Sequence, residues 1–207
     1  MELTIAEPKP YAGRKAVVLL SGGIDSSVAL AQCLERGESV AALFFAYGQR
    51  HHDQEDTAAS AIAEQYGVGL MRRMLQELRG STLTDMDGTL TGTPTVVPGR
   101  NLIFIAHALS IAARIGAQTI VIGATADDAE TYADCRPKFY AGLNAALAES
   151  NPGIGIWHPF TGWTKKRVVE EGRRLGVPLA LTWSCYAGGE LPCGECGACI
   201  AREEALS

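Results

Sequence analysis

Two short stretches of the chain concentrate the residue types that do chemistry. The first reads Leu20-Ser21-Gly22-Gly23-Ile24-Asp25-Ser26-Ser27, between the apolar run Ala16-Val17-Val18-Leu19-Leu20 and the helix-like Val28-Ala29-Leu30-Ala31. Adjacent glycines let the backbone come close to a ligand and turn successive N–H groups inward as an anion nest. A helix starting here leaves its first amides without partners, and these attract anions. Ser21, Ser26 and Ser27 add hydroxyl donors, so the combination describes a phosphate cradle. It is not a Walker loop, because no Gly-Lys-Ser/Thr follows, and the glycine spacing is not that of the dinucleotide fingerprint. The same residues suit a plain turn with an N-cap, but the strand before and the helix after favour the cradle.

The second stretch holds Cys185, Cys193, Cys196 and Cys199 in the spacing C-x7-C-x2-C-x2-C. Two successive C-x2-C steps place thiolates on tight turns, where Gly194 and Gly197 relieve crowding, and Cys185 can return to complete a tetrahedral site. Zn2+ is the expected ion, in a closed structural role that gives a short segment the folding free energy apolar burial cannot. Four thiolates also suit an iron–sulfur cluster, and spacing alone leaves that open. Cys33, on the first predicted helix, reads as a small buried hydrophobe.

The bulk properties narrow the function. A chain of 207 residues supports one well-buried domain. Its character changes after Pro178, which divides it into an α/β domain over 1–178 and a cysteine-bearing segment over 179–207 too short for its own core. A net charge of −5 with 7% aromatic residues lacks the basic stripe and interleaved rings of a nucleic-acid binder and points to a small substrate. No apolar stretch approaches the ~18 residues of a membrane helix, and the first fifteen residues hold no signal-peptide core. The expectation is a soluble protein of the cytoplasm, where clustered cysteines bind metal rather than pair.

The elements that must position these residues alternate. Strands are predicted over 15–20, 40–47, 70–75, 119–123 and 154–157; helices over 26–35, 53–66, 101–115, 136–148 and 165–175, the last capped by Thr164. A long loop is predicted over 79–99. This alternation implies a doubly wound, mainly parallel sheet covered on both faces, with ligands at the carboxyl edge of the strands. Arg100 at the start of a helix and Lys165 at the start of another are then the cations best placed to stabilise charge on a polyphosphate. Asp128, Asp134 and Arg136 follow the fourth strand at the same edge, and a carboxylate there suits the N1–H and exocyclic amine of a guanine-like base. Asp127 and Asp128 also suit a merely solvated acidic loop. Adjacent His51 and His52 point apart in any regular backbone, so they do not share a metal.

Ser21-Gly22-Gly23-Ile24-Asp25-Ser26 after a buried strand resembles the signature of the PP-loop ATP pyrophosphatases, which implies an adenine nucleotide alpha hydrolase-like fold. That loop would hold the β,γ-diphosphate of ATP during attack on the α-phosphorus, with Asp25 positioning Mg2+ or the loop amides. Further stretches resemble the QueC family of 7-cyano-7-deazaguanine synthases: Tyr47-Gly48-Gln49-Arg50-His51, Val97-Pro98-Gly99-Arg100-Asn101, Tyr132 with Asp134-Cys135-Arg136, His158-Pro159 with Thr164-Lys165, and Ser184-Cys185-Tyr186 with the remaining cysteines through Arg202. The resemblance implies that ATP adenylates the carboxylate of 7-carboxy-7-deazaguanine, that ammonia displaces AMP to give an amide, and that a second activation dehydrates the amide to the nitrile. It also implies ATP, Mg2+ and Zn2+ as cofactors, His51 at the site and a homodimer, to which Trp157, Trp163 and Trp183 would contribute unless they lie in the core. The chain departs from the family pattern at Ile24, at Glu130, Thr131 and Ala133, and at Gly197. The departures at 130, 131 and 133 are expected to add bulk and charge to the deazaguanine pocket. That keeps open a QueC-like enzyme of antiphage defence, joining a deazaguanine to a protein amine.

Overall fold

The computed structural model describes residues 11–76, 78, 81–84 and 95–207. Its strands are β1 (Lys15–Leu19), β2 (Ser39–Ala46), β3 (Leu70–Met74), β4 (Thr119–Val121) and β5 (Gly155–Trp157). Its helices are α1 (Ile24–Glu35), α2 (His52–Gln65), α3 (Arg100–Ile115), α4 (Ala126–Thr131), α5 (Pro137–Ser150), α6 (Lys165–Arg174) and α7 (Gly197–Leu206). The five strands form one sheet in the order β3-β2-β1-β4-β5 with every pair parallel.

A parallel strand covered on both faces is apolar at every position, and β1 shows how the two faces divide. Ala16, Val18 and Leu20 enter one core with Val28, Ala29 and Leu30 of α1, Ile62 of α2 and Val168 and Val169 of α6. Val17 and Leu19 enter the other, with Ile105 and Ile111 of α3 and Tyr140 and Leu147 of α5. Side chains such as Val28, Leu30 and Ile120 are fully buried, and each such aliphatic residue contributes about 1.5–3 kcal/mol. Cys33 joins the first core, where burial pushes its thiol well above the ordinary range, as suits an inert hydrophobe. Trp157 and Trp163 pack against the same core.

The chain winds outward through β1, β2 and β3, then returns to β4 on the other side of β1. Strand order therefore reverses between β1 and β4, and the crevice outside their carboxyl ends is where ligands bind in such sheets. Gly123 makes the crevice tight: a Cβ there would stand 2.8 Å from the Asp25 carbonyl carbon and the Ser26 nitrogen.

Three elements differ from the sequence prediction. Helix α1 starts at Ile24, so Ser26 and Ser27 lie inside its first turn and donate to the Gly23 carbonyl. Residues 126–131, for which no helix was predicted, form α4 because Thr125 and Asp128 make a capping box. The C-terminal segment, in which no helix was predicted, ends in α7, whose Ala205 reaches the first core. Of the loop predicted over 79–99, residues 79, 80 and 85–94 lie outside the described part. No described helix is long and apolar enough to cross a membrane.

Candidate active site

The loop after β1 is held by backbone contacts on every side. Gly22 has φ +81°, and a Cβ there would lie 2.6 Å from the Ala59 nitrogen and 2.7 Å from the Glu55 carbonyl. Only glycine fits both the conformation and the space. The Gly22 carbonyl accepts from the Trp183 N–H at 2.9 Å, which ties the loop to the C-terminal segment. Gly23 is the N-cap of α1 and offers no side-chain cap, so the first-turn amides face the crevice with no side chain covering them. The Ser21 and Ser26 hydroxyls stand 3.2 Å apart at the mouth. Leu20 and Ile24 are buried, and the fully buried Ser27 lines neither cleft described below.

Asp25, in the first turn of α1, pairs through Oδ2 with the Lys165 ammonium at the start of α6. Burial works against the lysine charge, but Asp25 and Asp128 outweigh it and push the Lys165 pKa above its ordinary value. The other oxygen, Asp25 Oδ1, is buried without a hydrogen-bond partner, a costly state that a bound cation relieves. Asp128 Oδ2 accepts from the Thr125 N–H at 2.9 Å and hydroxyl at 2.7 Å. Asp127 Oδ2 accepts from the Lys165 N–H at 2.7 Å, linking α4 to the start of α6. Three carboxylates and one ammonium thus stand beside the loop, and the unpaired oxygen of Asp25 fits a divalent cation.

Two clefts meet at Ser21, Asp25, Glu55, Asp128, Tyr132 and Tyr186, which line both. The first is walled by Leu43, Phe45, Phe104 and Ile122, and Arg100 enters it from the start of α3. Phe45 and Phe104 stack at 4.3 Å between centroids, 6° from parallel. Arg100 Nη1 donates to the Tyr47 hydroxyl at 3.3 Å. Burial raises the Tyr47 and Tyr186 phenols, which therefore stay neutral. A planar apolar slot closed by a guanidinium suits an aromatic carboxylate. The second cleft runs from Gly23 and Lys165 past Trp183 and Ser184 to Arg202.

The structure separates the remaining predicted residues. Asp134 lines neither cleft; its Oδ2 accepts from the Asn101 N–H at 3.2 Å and so fixes the start of α3, where Arg100 sits. Arg136 is exposed and donates to the Ala129 carbonyl at 3.1 Å, away from both clefts. Glu130, Thr131 and Ala133 are exposed, and none lines the aromatic slot. Thr131 does line the second cleft, so the bulk it adds enters that cleft and not the slot. His51 lines it. His52 packs edge-on against Phe44 and His158 stacks on Tyr140 at 4.6 Å. Residues that sequence reasoning missed include Phe45, Phe104 and Glu55. Phe45 and Tyr47, two residues apart at the end of β2 and just beyond it, share one face, and Glu55 stands one helical turn after His51; both spacings were available signals.

The four predicted cysteines come together, with every Sγ within 4.8 Å of the others. Cys185 and Cys193 Sγ are 3.5 Å apart, Cys193 and Cys199 3.9 Å, close to the about 3.8 Å edge of a tetrahedron with ~2.3 Å metal–sulfur bonds. The Ala187 and Cys193 amides approach Cys185 Sγ at 3.4 and 3.3 Å, as suits a thiolate. The donor set fits a metal. Trp183 Nε1 donates to the Cys185 carbonyl at 2.7 Å, and Tyr186 packs against the cysteines while lining both clefts.

Solved structures and curated sequences place this arrangement. The fold matches a U34-tRNA thiolase NcsA from Methanococcus maripaludis, solved with its [4Fe-4S] cluster, with a TM-score of 0.56 and 20% identity over 94% of this chain and 65% of the other. It also matches an NMN synthetase from Francisella tularensis, with a TM-score of 0.53 and 20% identity over 90% and 71%. The chain is thus a parallel α/β protein with the fold that these structures share. Curated relatives named 7-cyano-7-deazaguanine synthase include one from Parasynechococcus marenigrum, 44% identical over 93% of this chain and 92% of the relative, and one from Prochlorococcus marinus, 41% identical over 92% of each. The family described as "Queuosine biosynthesis protein QueC" matches residues 15–207, and the chain belongs to that family.

Proposed function

We propose that this enzyme carries out the reaction for which its relatives are named, making 7-cyano-7-deazaguanine from 7-carboxy-7-deazaguanine, ammonia and ATP. The observation that carries the reading is the meeting of the two clefts at Ser21, Asp25 and Asp128. Two anions must be brought together there, and the residues around the junction perform that task. The first-turn amides of α1 and the Ser21 hydroxyl hold the β,γ-diphosphate. Lys165 steadies charge at the α-phosphate, and Arg100 draws the deazaguanine carboxylate toward it. Phe45 and Phe104, stacked on each other, form the apolar wall against which the deazaguanine ring lies. Asp25 Oδ1 and Asp128 would hold Mg2+, which neutralises the departing pyrophosphate. Asp134 acts on the slot through α3, by positioning Arg100.

The cysteines would hold Zn2+ in a closed site with a structural role, and 179–207 is an appendage whose fold depends on that ion. Of the departures from the family pattern at 130, 131 and 133, Thr131 lines the second cleft while Glu130 and Ala133 line neither cleft, so the aromatic slot keeps its shape for nitrile formation. The test is to incubate the enzyme with ATP, Mg2+, ammonium and 7-carboxy-7-deazaguanine and follow the base by mass spectrometry. The expected products are the amide and then the nitrile. Consumption of ATP without either would contradict the reading.

A further inference from the structure

Adenylation moves charge as well as atoms. The carboxylate oxygen bonds to the α-phosphorus while the bond from that phosphorus to the oxygen bridging it to the β-phosphate breaks, and the electron pair departs on pyrophosphate. The leaving group thus gains a negative charge. Under the proposed function Lys165 serves the α-phosphate and the loop amides serve the diphosphate from one side. The second cleft continues beyond both, past Ser184 to Arg202.

We propose that Arg202, with the Ser184 hydroxyl, binds the γ-phosphate of ATP and holds it as pyrophosphate leaves. Arg202 is half-buried on α7 and lines the second cleft together with Ser184. Its Nη1 donates to the Thr182 hydroxyl at 2.8 Å and the Ser184 hydroxyl at 3.2 Å, and its Nη2 donates to the Leu179 carbonyl at 2.8 Å. These bonds fix the plane of the guanidinium and use three of its five N–H groups. Among the described residues its acceptors are all neutral oxygens. A half-buried cation in that state is stabilised by an anion, and a guanidinium fork suits phosphate oxygens. The Ser184 oxygen accepts from Arg202, which leaves its own proton to donate into the cleft.

The surroundings favour a phosphate over a lone carboxylate. The Trp183 N–H is bonded to the Gly22 carbonyl at 2.9 Å, and a Cβ on Gly23 would lie 3.6 Å from the Trp183 carbonyl, so the backbone that leads into Ser184 lies directly against the loop. Gly197 and Ala198 open α7 on the same cleft, and the N-cap of that helix supplies no side-chain hydrogen bond. A Cβ on Gly197 would meet nothing within 4 Å. Two helix N-termini, those of α1 and α7, therefore line one cleft with a guanidinium and a hydroxyl, an arrangement suited to an extended polyanion. The carboxylates lining the cleft are committed elsewhere. Asp25 pairs with Lys165, Asp127 accepts from the Lys165 N–H, Asp128 from Thr125 and Glu55 from Gln49.

This inference rests on the proposed function, and direct binding separates the two. Titration calorimetry on the metal-loaded protein measures ATP and pyrophosphate, each with Mg2+, and AMP. Wild type that bound neither ATP nor pyrophosphate would contradict the proposed function itself. In Arg202→Gln the affinities for ATP and pyrophosphate should fall about 10- to 100-fold, while that for AMP, which lacks the β- and γ-phosphates, should stay within about 2-fold. Ser184→Ala should weaken pyrophosphate by a smaller factor and leave AMP unchanged. It carries the test if Arg202→Gln sheds its metal or fails to fold, since Arg202 follows Cys199 by one turn of α7. Unchanged pyrophosphate affinity in every folded variant would overturn the role of Arg202. So would losses as large for AMP as for ATP, which would make the guanidinium only a brace for residues 179–184.

Discussion

The loop after β1 and the segment after Pro178 press on the same junction, yet they owe their shape to different forces. The loop is rigid because it joins a strand buried on both faces to a helix whose inner side is core, and because Gly22 lets α2 approach to contact distance. The C-terminal segment touches that core only through a few side chains, among them Leu179, Ala205 and Leu206. Its apolar cluster consists of cysteines with Trp183, Tyr186, Ala187 and Ala198 around them. One wall of the candidate site is therefore fixed by apolar burial and the other by the four-cysteine cluster, with the hydrogen bond from Trp183 to Gly22 as a seam between them.

Removing the metal should break that contrast most completely. Chelation, or Cys196→Ser, is expected to unfold 179–207 and abolish turnover while the α/β domain keeps its circular dichroism, and Zn2+ should restore the stripped wild type. Asp25→Asn acts on the other wall. AMP formation should fall by about 100-fold or more, with metal content and fold unchanged, as metal analysis and thermal melting would show. Gly22→Ala should cost both, since it forces a side chain into α2 with φ +81°. Denaturant titration should show at least about 2 kcal/mol of lost stability. Thr125→Ala removes the capping hydroxyl that also holds Asp128. It should cost about 1 kcal/mol and raise the KM for Mg2+. Arg174→Ala, which breaks exposed ion pairs with Glu35 and Glu171, should leave activity and melting temperature unchanged, since such pairs contribute little.

The sequence made the first wall legible and the second only in outline. An apolar run, a glycine pair and a helix pattern are local signals, and strand alternation followed from them. The cysteine spacing announced a metal site but not α7, because the helix draws on Ala205 contacts with a core made by distant residues. Helix α4 was missed because Thr125-Ala126-Asp127-Asp128 reads as a polar turn until Asp128 is seen to return to the Thr125 backbone. The aromatic slot combines Phe45 on β2 with Phe104 on α3, and the ion pair of Asp25 with Lys165 joins α1 to α6. Such pairings exist only after the sheet has been wound. Arg136 shows the converse: it lies near Asp128 in sequence, yet the turn at 133–135 directs it to the surface.

The central claim is that the loop of residues 21–27 grips the diphosphate that leaves. It is tested most directly by identifying what ATP becomes when the deazaguanine carboxylate is present. Chromatography of the nucleotides from a single incubation should show AMP with pyrophosphate, dependent on the carboxylate and absent in Asp25→Asn. ADP with orthophosphate, or AMP formed equally well by that variant, would contradict the account.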